Sequence, residues 1–217
     1  MREQIIQEIE KNKIITILRG VPAEQVIAVA EALYQGGIRL LEVTYSADGS
    51  VSDTETARMI GHLAAHFGEK MHIGAGTVLT ARQVRLTHEA GGCFIISPDT
   101  CPEVIRETAA CGMVSIPGAL TPSEITAAHR LGADLVKVFP VTQLGAGYIK
   151  AVKAPLSHVR LLAVGGIDEK NMAEYLAAGV CGFGVGTNIV SKALVAGRDY
   201  SGITALAKKY TEVIGRG

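Results

Sequence analysis

The sequence predicts an α/β protein folded as a (β/α)8 barrel with a short helix ahead of its first strand, and three observations predict it. Apolar, β-branched runs recur along the 217-residue chain, each followed by a turn and a longer segment of helical periodicity, the alternation of βαβ units. Eight such pairs can be counted, the number that closes a barrel of this kind. A doubly wound open sheet, the main competitor, would show a Gly-rich fingerprint after its first strand, and Ile17-Leu18-Arg19-Gly20 has none.

Taken in order, the opening segment MREQIIQEIEKNK sets apolar residues at helical spacing among charges. The strands are expected over Ile14 to Leu18, Ile38 to Thr44, Met71 to Gly76, Cys93 to Ser97, Met113 to Pro117, Asp134 to Val138, Val159 to Val164 and Val180 to Val185. The helices that follow them are expected over Ala23 to Gln35, Asp53 to His66, Ala81 to Ala90, Pro102 to Ala110, Pro122 to Leu131, Ala146 to Lys153, Glu169 to Ala178 and Gly202 to Ile214. Thr80, Thr100, Thr121 and Asp168 stand where N-caps belong, and Pro102 and Pro122 fall in first turns, where a missing N–H costs nothing. Gly37, Gly91, Gly112, Gly132 and Gly179 lie just past helical stretches, where a left-handed cap is wanted. No linker rich in Pro, Ser or charge divides the chain, so residues 1–217 are expected to form a single domain.

Composition narrows the function. With 48% hydrophobic and 19% charged residues the chain can bury a sizeable core and is not a disordered protein. Lys plus Arg balances Asp plus Glu at 21 each, and no basic run is interleaved with aromatics, which argues against nucleic acid and anionic membrane as partners. The N-terminus lacks the continuous apolar stretch of a signal peptide, and no apolar run reaches a membrane-spanning length. Cys93, Cys101, Cys111 and Cys181 show no CxxC spacing, so a reduced, cytoplasmic setting is expected.

Catalytic groups of such a barrel come from the C-terminal ends of its strands and the loops beyond them. Those ends supply Arg19, Glu42, Thr77, Ser97 with Pro98, Pro117, Lys137, Gly165 with Gly166, and Gly186 with Thr187. Lys137 interrupts the apolar run Ala133-Asp134-Leu135-Val136-Lys137-Val138-Phe139-Pro140. Alternation puts Leu135, Lys137 and Phe139 on one face, assigned to the barrel interior, and Val136 and Val138 on the other, under a helix. Out of water, the amine should titrate well below the roughly 10.4 of a free lysine and, once neutral, could attack a ketone to form a Schiff base. A lysine that snorkels to the strand end and pairs with a carboxylate is the plainer alternative.

Glu42, in Leu40-Leu41-Glu42-Val43-Thr44, is a carboxylate inside another apolar strand. It either pairs with Lys137 or moves protons as a general acid and base. The glycine pairs of Ala163-Val164-Gly165-Gly166-Ile167 and Phe183-Gly184-Val185-Gly186-Thr187 end the seventh and eighth strands, where phosphate sites are frequent in this fold, although tight turns alone would use the same residues. Thr77 could bond a carboxylate or cap the next helix, a role for which Thr80 competes, and Arg19 could bind an anionic substrate or hold Glu42. His62 and His66 are four apart, but HLAAH lacks the glutamate of a zinc-protease motif, and neither they nor the other histidines suggest a metal.

These residues also carry a resemblance. The segments ILRG, GGIRLLEVTY, IGAGTVLT, ISPDT, IPGALTPSE, LVKVFP, AVGGI and GVGT follow one another at the spacing of the class I 2-keto-3-deoxy-6-phosphogluconate (KDPG) and 4-hydroxy-2-oxoglutarate (KHG) aldolases, which the chain resembles from about Lys13 to Lys209. The resemblance implies that Lys137 is the Schiff-base lysine and Glu42 the acid–base residue. It implies that Thr77 contacts the pyruvate carboxylate in a pocket lined by Pro98 and Phe139, and that Gly165, Gly166, Gly186 and Thr187 cradle the phosphate. Further implications are a homotrimer, no metal and no cofactor, and a small 2-keto acid or sugar-acid phosphate as substrate.

The implied reaction splits 2-dehydro-3-deoxy-6-phosphogluconate into pyruvate and glyceraldehyde 3-phosphate, with 4-hydroxy-2-oxoglutarate giving pyruvate and glyoxylate. Ser46 stands where some phosphogluconate enzymes carry arginine, for which Arg19 resembles the replacement in other members. Val164 stands where many phosphogluconate enzymes have threonine. Both departures resemble the phosphogalactonate aldolases, so the C4 epimer is the first alternative. A non-catalytic sugar-phosphate binder, with Lys137 as a phosphate clamp, is the alternative of another class.

Overall fold

The computed structural model describes residues 2–215. Its first helix, α1 (Arg2–Asn12), buries Ile5, Ile6 and Ile9 on one face. These three pack on the inward-facing side chains Ile15, Leu40, Phe94, Val114, Leu135 and Leu162. Arg2 pairs with Asp134 at 2.9 Å and Glu10 with Arg160 at 2.7 Å, and both partners precede strands, so α1 covers the N-terminal end of the barrel.

The strands are β1 (Ile14–Leu18), β2 (Leu40–Thr44), β3 (His72–Gly76), β4 (Phe94–Ile96), β5 (Val114–Ile116), β6 (Gly118–Ala119), β7 (Val136–Val138), β8 (Leu161–Val164) and β9 (Gly182–Val185). They pair in the order β5-β4-β3-β2-β1-β9-β8-β7-β6, and every recorded pair is parallel. The expected fifth strand, Met113 to Pro117, is therefore corrected to two short pieces flanking Pro117, and the eight expected strands become nine. Proline has no N–H to give a ladder. The carbonyls still close the ring: the amides of Leu135, Lys137 and Phe139 donate to the oxygens of Ser115, Pro117 and Ala119 at 3.3, 2.9 and 3.2 Å.

Alternation along the strands sorts the two cores as expected. Leu135 packs inside the barrel, while Val136 and Val138 belong to the larger layer between the sheet and its helices. That outer layer is made by α2 (Val26–Gln35), α3 (Asp53–Phe67), α4 (Ala81–Glu89), α5 (Pro102–Ala110), α6 (Pro122–Arg130), α7 (Gly145–Lys153), α8 (Met172–Ala177), α9 (Lys192–Ala196) and α10 (Tyr200–Gly215). Residues 23–25 form a 3-10 turn ahead of α2, and the expected helix Glu169 to Ala178 shortens to α8. The five-residue α9 was not expected; Ser191 caps it by accepting from the Leu194 amide.

Thr80 and Thr121 are the N-caps expected, the latter in a reciprocal box with Glu124. Two cap expectations are corrected. Thr100 gives its hydroxyl to the Gly118 carbonyl at 2.7 Å, leaving Cys101 as the N-cap of α5. Asp168 accepts from the amides of Lys170 and Asn171 in a turn, and Asn171 is the residue that precedes α8. Among the described residues no helix is long and apolar enough to cross a membrane.

Candidate active site

At the C-terminal end of the strands a cavity of about 550 Å³ opens, lined by Arg19, Glu42, Thr77, Pro98, Lys137, Phe139, Gly165, Gly166, Gly186 and Thr187. The ten residues expected to be catalytic or substrate-binding thus meet in one place. Ser97 and Pro117, also at strand ends, are not in its lining. A cavity of about 540 Å³ at the opposite end, beside α1, has no buried titratable side chain in its wall and offers no comparable chemistry.

Lys137 is the central residue of β7 and points inward, 7% exposed. Glu42, the central residue of β2, is 2% exposed. Neither joins an ion pair within 4 Å among the described residues, so the plain reading of a structural salt bridge between them does not hold. Burial dominates both titrations. It pushes the Lys137 amine below its ordinary value, against the upward pull of Glu42 and with the help of Arg19. It pushes the Glu42 carboxyl up, against Lys137 and Arg19. Burial favours the uncharged form of each, which suits an amine nucleophile and a carboxyl group that must both take and return a proton. The ammonium position lies 4.7 Å from the centre of the Phe139 ring.

Arg19 does not hold Glu42. Its Nη2 donates to the Thr77 hydroxyl at 3.0 Å, and Thr77 leaves the capping of α4 to Thr80. Thr77 has φ of 55°, a left-handed backbone that strains a β-branched residue and that persists in folds mainly at functional positions. The Arg19–Thr77 pair therefore sets a fixed cation and hydroxyl on the rim beside the Glu42 strand.

On the far side, Gly165 and Gly166 have φ of 95° and 70°, so the loop after β8 turns back on itself without a Cβ penalty. Asn171 Nδ2 donates to the Gly166 carbonyl at 2.9 Å and Asn188 Nδ2 to the Ile167 carbonyl at 2.8 Å. Within the described residues the amides of Gly166, Ile167, Thr187 and Asn188 take no hydrogen-bond partner. Amides without an intramolecular partner beside a cavity have the donor chemistry to receive an anion. Asn188, Ile167, Ile17 and Val190 also line the cavity and were not anticipated. Asn188 directly follows GVGT, so reading one residue further would have included it; the apolar three carry no mark that separates them from core.

The remaining candidates lie elsewhere. His66 pairs with Glu31 at 3.0 Å on the outside of α3. The four cysteines are free and half-buried.

Comparison with known proteins bears on the site as a whole. A family model described as KDPG and KHG aldolase matches residues 5–206. A 2-dehydro-3-deoxy-6-phosphogalactonate aldolase of Escherichia coli (strain K12) is 32% identical over 205 residues, covering 94% of this chain and 97% of that one. A 2-dehydro-3-deoxy-phosphogluconate aldolase of Treponema pallidum (strain Nichols) is 32% identical over 215 residues, covering 97% and 98%. The crystal structure of a KDPG aldolase from Legionella pneumophila, with pyruvate captured at low pH as a covalent carbinolamine intermediate, superposes with a TM-score of 0.82 at 30% identity, covering 92% and 94%.

Proposed function

The chain belongs to the KDPG and KHG aldolase family and is an aldolase, a carbon–carbon lyase, and from that premise we propose that it cleaves 2-dehydro-3-deoxy-6-phosphogluconate to pyruvate and glyceraldehyde 3-phosphate through a Schiff base on Lys137. The observation that carries this reading is the buried amine of Lys137, held below its ordinary basicity and sharing a cavity with a buried Glu42. The covalent carbinolamine of the Legionella enzyme supports it.

The neutral amine adds to the C2 carbonyl, and loss of water from the carbinolamine leaves an iminium. Glu42, directly or through a water, takes the proton of the C4 hydroxyl. The C4–O pair closes to a carbonyl, the C3–C4 bond breaks, and its electrons form the C2–C3 double bond of an enamine while the nitrogen becomes neutral. Glyceraldehyde 3-phosphate carries off C4 to C6. Protonation at C3 and addition of water at C2 release pyruvate and return the amine. In this scheme the Arg19–Thr77 pair receives the carboxylate, with Pro98 and Phe139 beside it. The free amides around Gly165, Gly166, Gly186 and Thr187 receive the phosphate.

Borohydride reduction in the presence of pyruvate tests the scheme: a covalent adduct on the Lys137 peptide is expected, and an adduct elsewhere, or none, rejects it. A second reading changes the C4 epimer. Val164 lines the cavity without a hydroxyl, and the Escherichia coli relative named for the phosphogalactonate substrate is as similar as the Treponema relative named for the phosphogluconate one. The ratio of kcat/KM on the two epimers decides between them, and 4-hydroxy-2-oxoglutarate belongs in the same panel. The proposal includes a cytoplasmic homotrimer that uses no metal or cofactor, with light scattering as the check on assembly.

A further inference from the structure

We propose that Gly76 is a positioning residue for the proton-transfer step: its missing side chain is the seat of the Glu42 carboxyl group. This deepens the reading above and rests on it. In the parallel register of β2 and β3, Glu42 lies beside Gly74 and Thr44 beside Gly76. Side chains on one face of a strand recur every second residue, about 6.6 Å apart. A side chain from position 42 that stayed level would occupy the space beside Gly74. That space is filled, since a Cβ built on Gly74 would stand 2.2 Å from Cδ2 of the Phe94 ring.

The Glu42 side chain instead leans one layer toward the strand C-terminal ends. A Cβ built on Gly76 would stand 1.5 Å from its Oε1, 2.2 Å from Cδ and 2.5 Å from Cγ. The carboxyl group therefore occupies the volume that any other residue at 76 would claim. Space is the reason for the glycine, because residue 76 sits in regular strand and is absent from the positive-φ glycines. The lean lifts the carboxyl group to the level of Gly76, the residue before Thr77, which holds Arg19 at the cavity rim.

The collision is with the mobile end of a side chain, so the fold of Gly76→Ala is expected to survive while the carboxyl group moves. Gly118 is different in kind: a Cβ there would stand 2.2 Å from the Pro98 carbonyl oxygen, which is backbone.

The test uses the full chain and a coupled assay of pyruvate release. Gly76→Ala should lower kcat about a hundredfold, leave KM within about threefold, shift the limb of the kcat pH profile assigned to Glu42, and melt within about 3 °C of the parent. Glu42→Asp, whose carboxyl group stops one methylene short, should lower kcat with Gly76 present. On the Gly76→Ala background it should instead raise kcat at least tenfold over the single variant, roughly what one restored proton-transfer contact provides.

A Gly76→Ala enzyme with parental kcat and pH profile overturns the proposal, and so does an aspartate that gives no rescue. If Gly76→Ala alone does not fold, the double variant Gly76→Ala/Glu42→Ala, which removes both colliding groups, should fold; an unfolded double variant overturns the proposal too. Glu42→Gln separates the two levels. Loss of activity there with an unaffected Gly76→Ala removes only the role of Gly76, whereas a fully active Glu42→Gln removes the acid–base role on which it rests.

Discussion

Lys137 brings one residue's stability and reactivity into opposition. Its folded-state pKa lies below the unfolded value of 10.5 because burial penalises the ammonium form. The unfolded chain then binds more protons between those two values, so the destabilising contribution is fully present below the folded value and fades as pH rises toward 10.5. Lys137→Met, similar in volume and uncharged, should accordingly be more stable than the parent at pH 7 by about 1 kcal/mol while losing all aldol cleavage. Denaturant melts at pH 7 and pH 10 should show that advantage shrinking.

The same balance predicts how neighbours move the amine. Glu42 raises the Lys137 pKa and Arg19 lowers it. Glu42→Gln should therefore shift the acid limb of borohydride trapping with saturating pyruvate to lower pH, and Arg19→Met should shift it to higher pH. Movement in the opposite sense would break the electrostatic account. Lys137 and Glu42 were legible from the sequence because each breaks an apolar strand. The Arg19–Thr77 bond was not, since it joins residues 58 apart in the chain and competes with two other partners that looked equally good.

Among the elements, α1 shows how a marginal helix is fixed by tertiary contacts. Its three isoleucines complete the inner core, and Ile9 is fully buried. Ile9→Ala should cost about 2–4 kcal/mol, read from the denaturation midpoint at constant m-value. The helix was legible from its spacing. By contrast, α9 has only five residues, too few to show a period. Thr100 misled for a related reason: its local position fits a cap, but its hydroxyl donates to the Gly118 carbonyl, 18 residues away. β5 and β6 reflect proline at 117, and there the sequence did hold the sign, because a residue without an amide hydrogen must interrupt the strand.

At the scale of the molecule, the barrel closes where the amides of Asp134, Leu135, Lys137 and Phe139 donate to the carbonyls of Ser115, Pro117 and Ala119, with the proposed Schiff-base lysine among the donors. On the proposed mechanism closure and catalysis share a strand, which anchors the Lys137 amine at the seam rather than on a loop. The eightfold alternation made this architecture readable in advance. The depth of the site was not, because it depends on which interior positions lack side chains. Gly74 and Gly76 leave room that Phe94 and Glu42 fill from neighbouring strands.

The plug of α1 has a consequence for traffic. Among the described residues α1 stoppers the base of the vessel, which leaves the mouth at the strand C-terminal ends as the route by which, on the proposed reaction, both fragments leave. On the proposed Schiff-base route the three-carbon keto acid is still bonded to nitrogen when the aldehyde detaches, so it departs last. Pyruvate should consequently inhibit cleavage competitively, while glyceraldehyde 3-phosphate inhibits noncompetitively. Steady-state product-inhibition plots showing the reverse assignment would overturn this order of release.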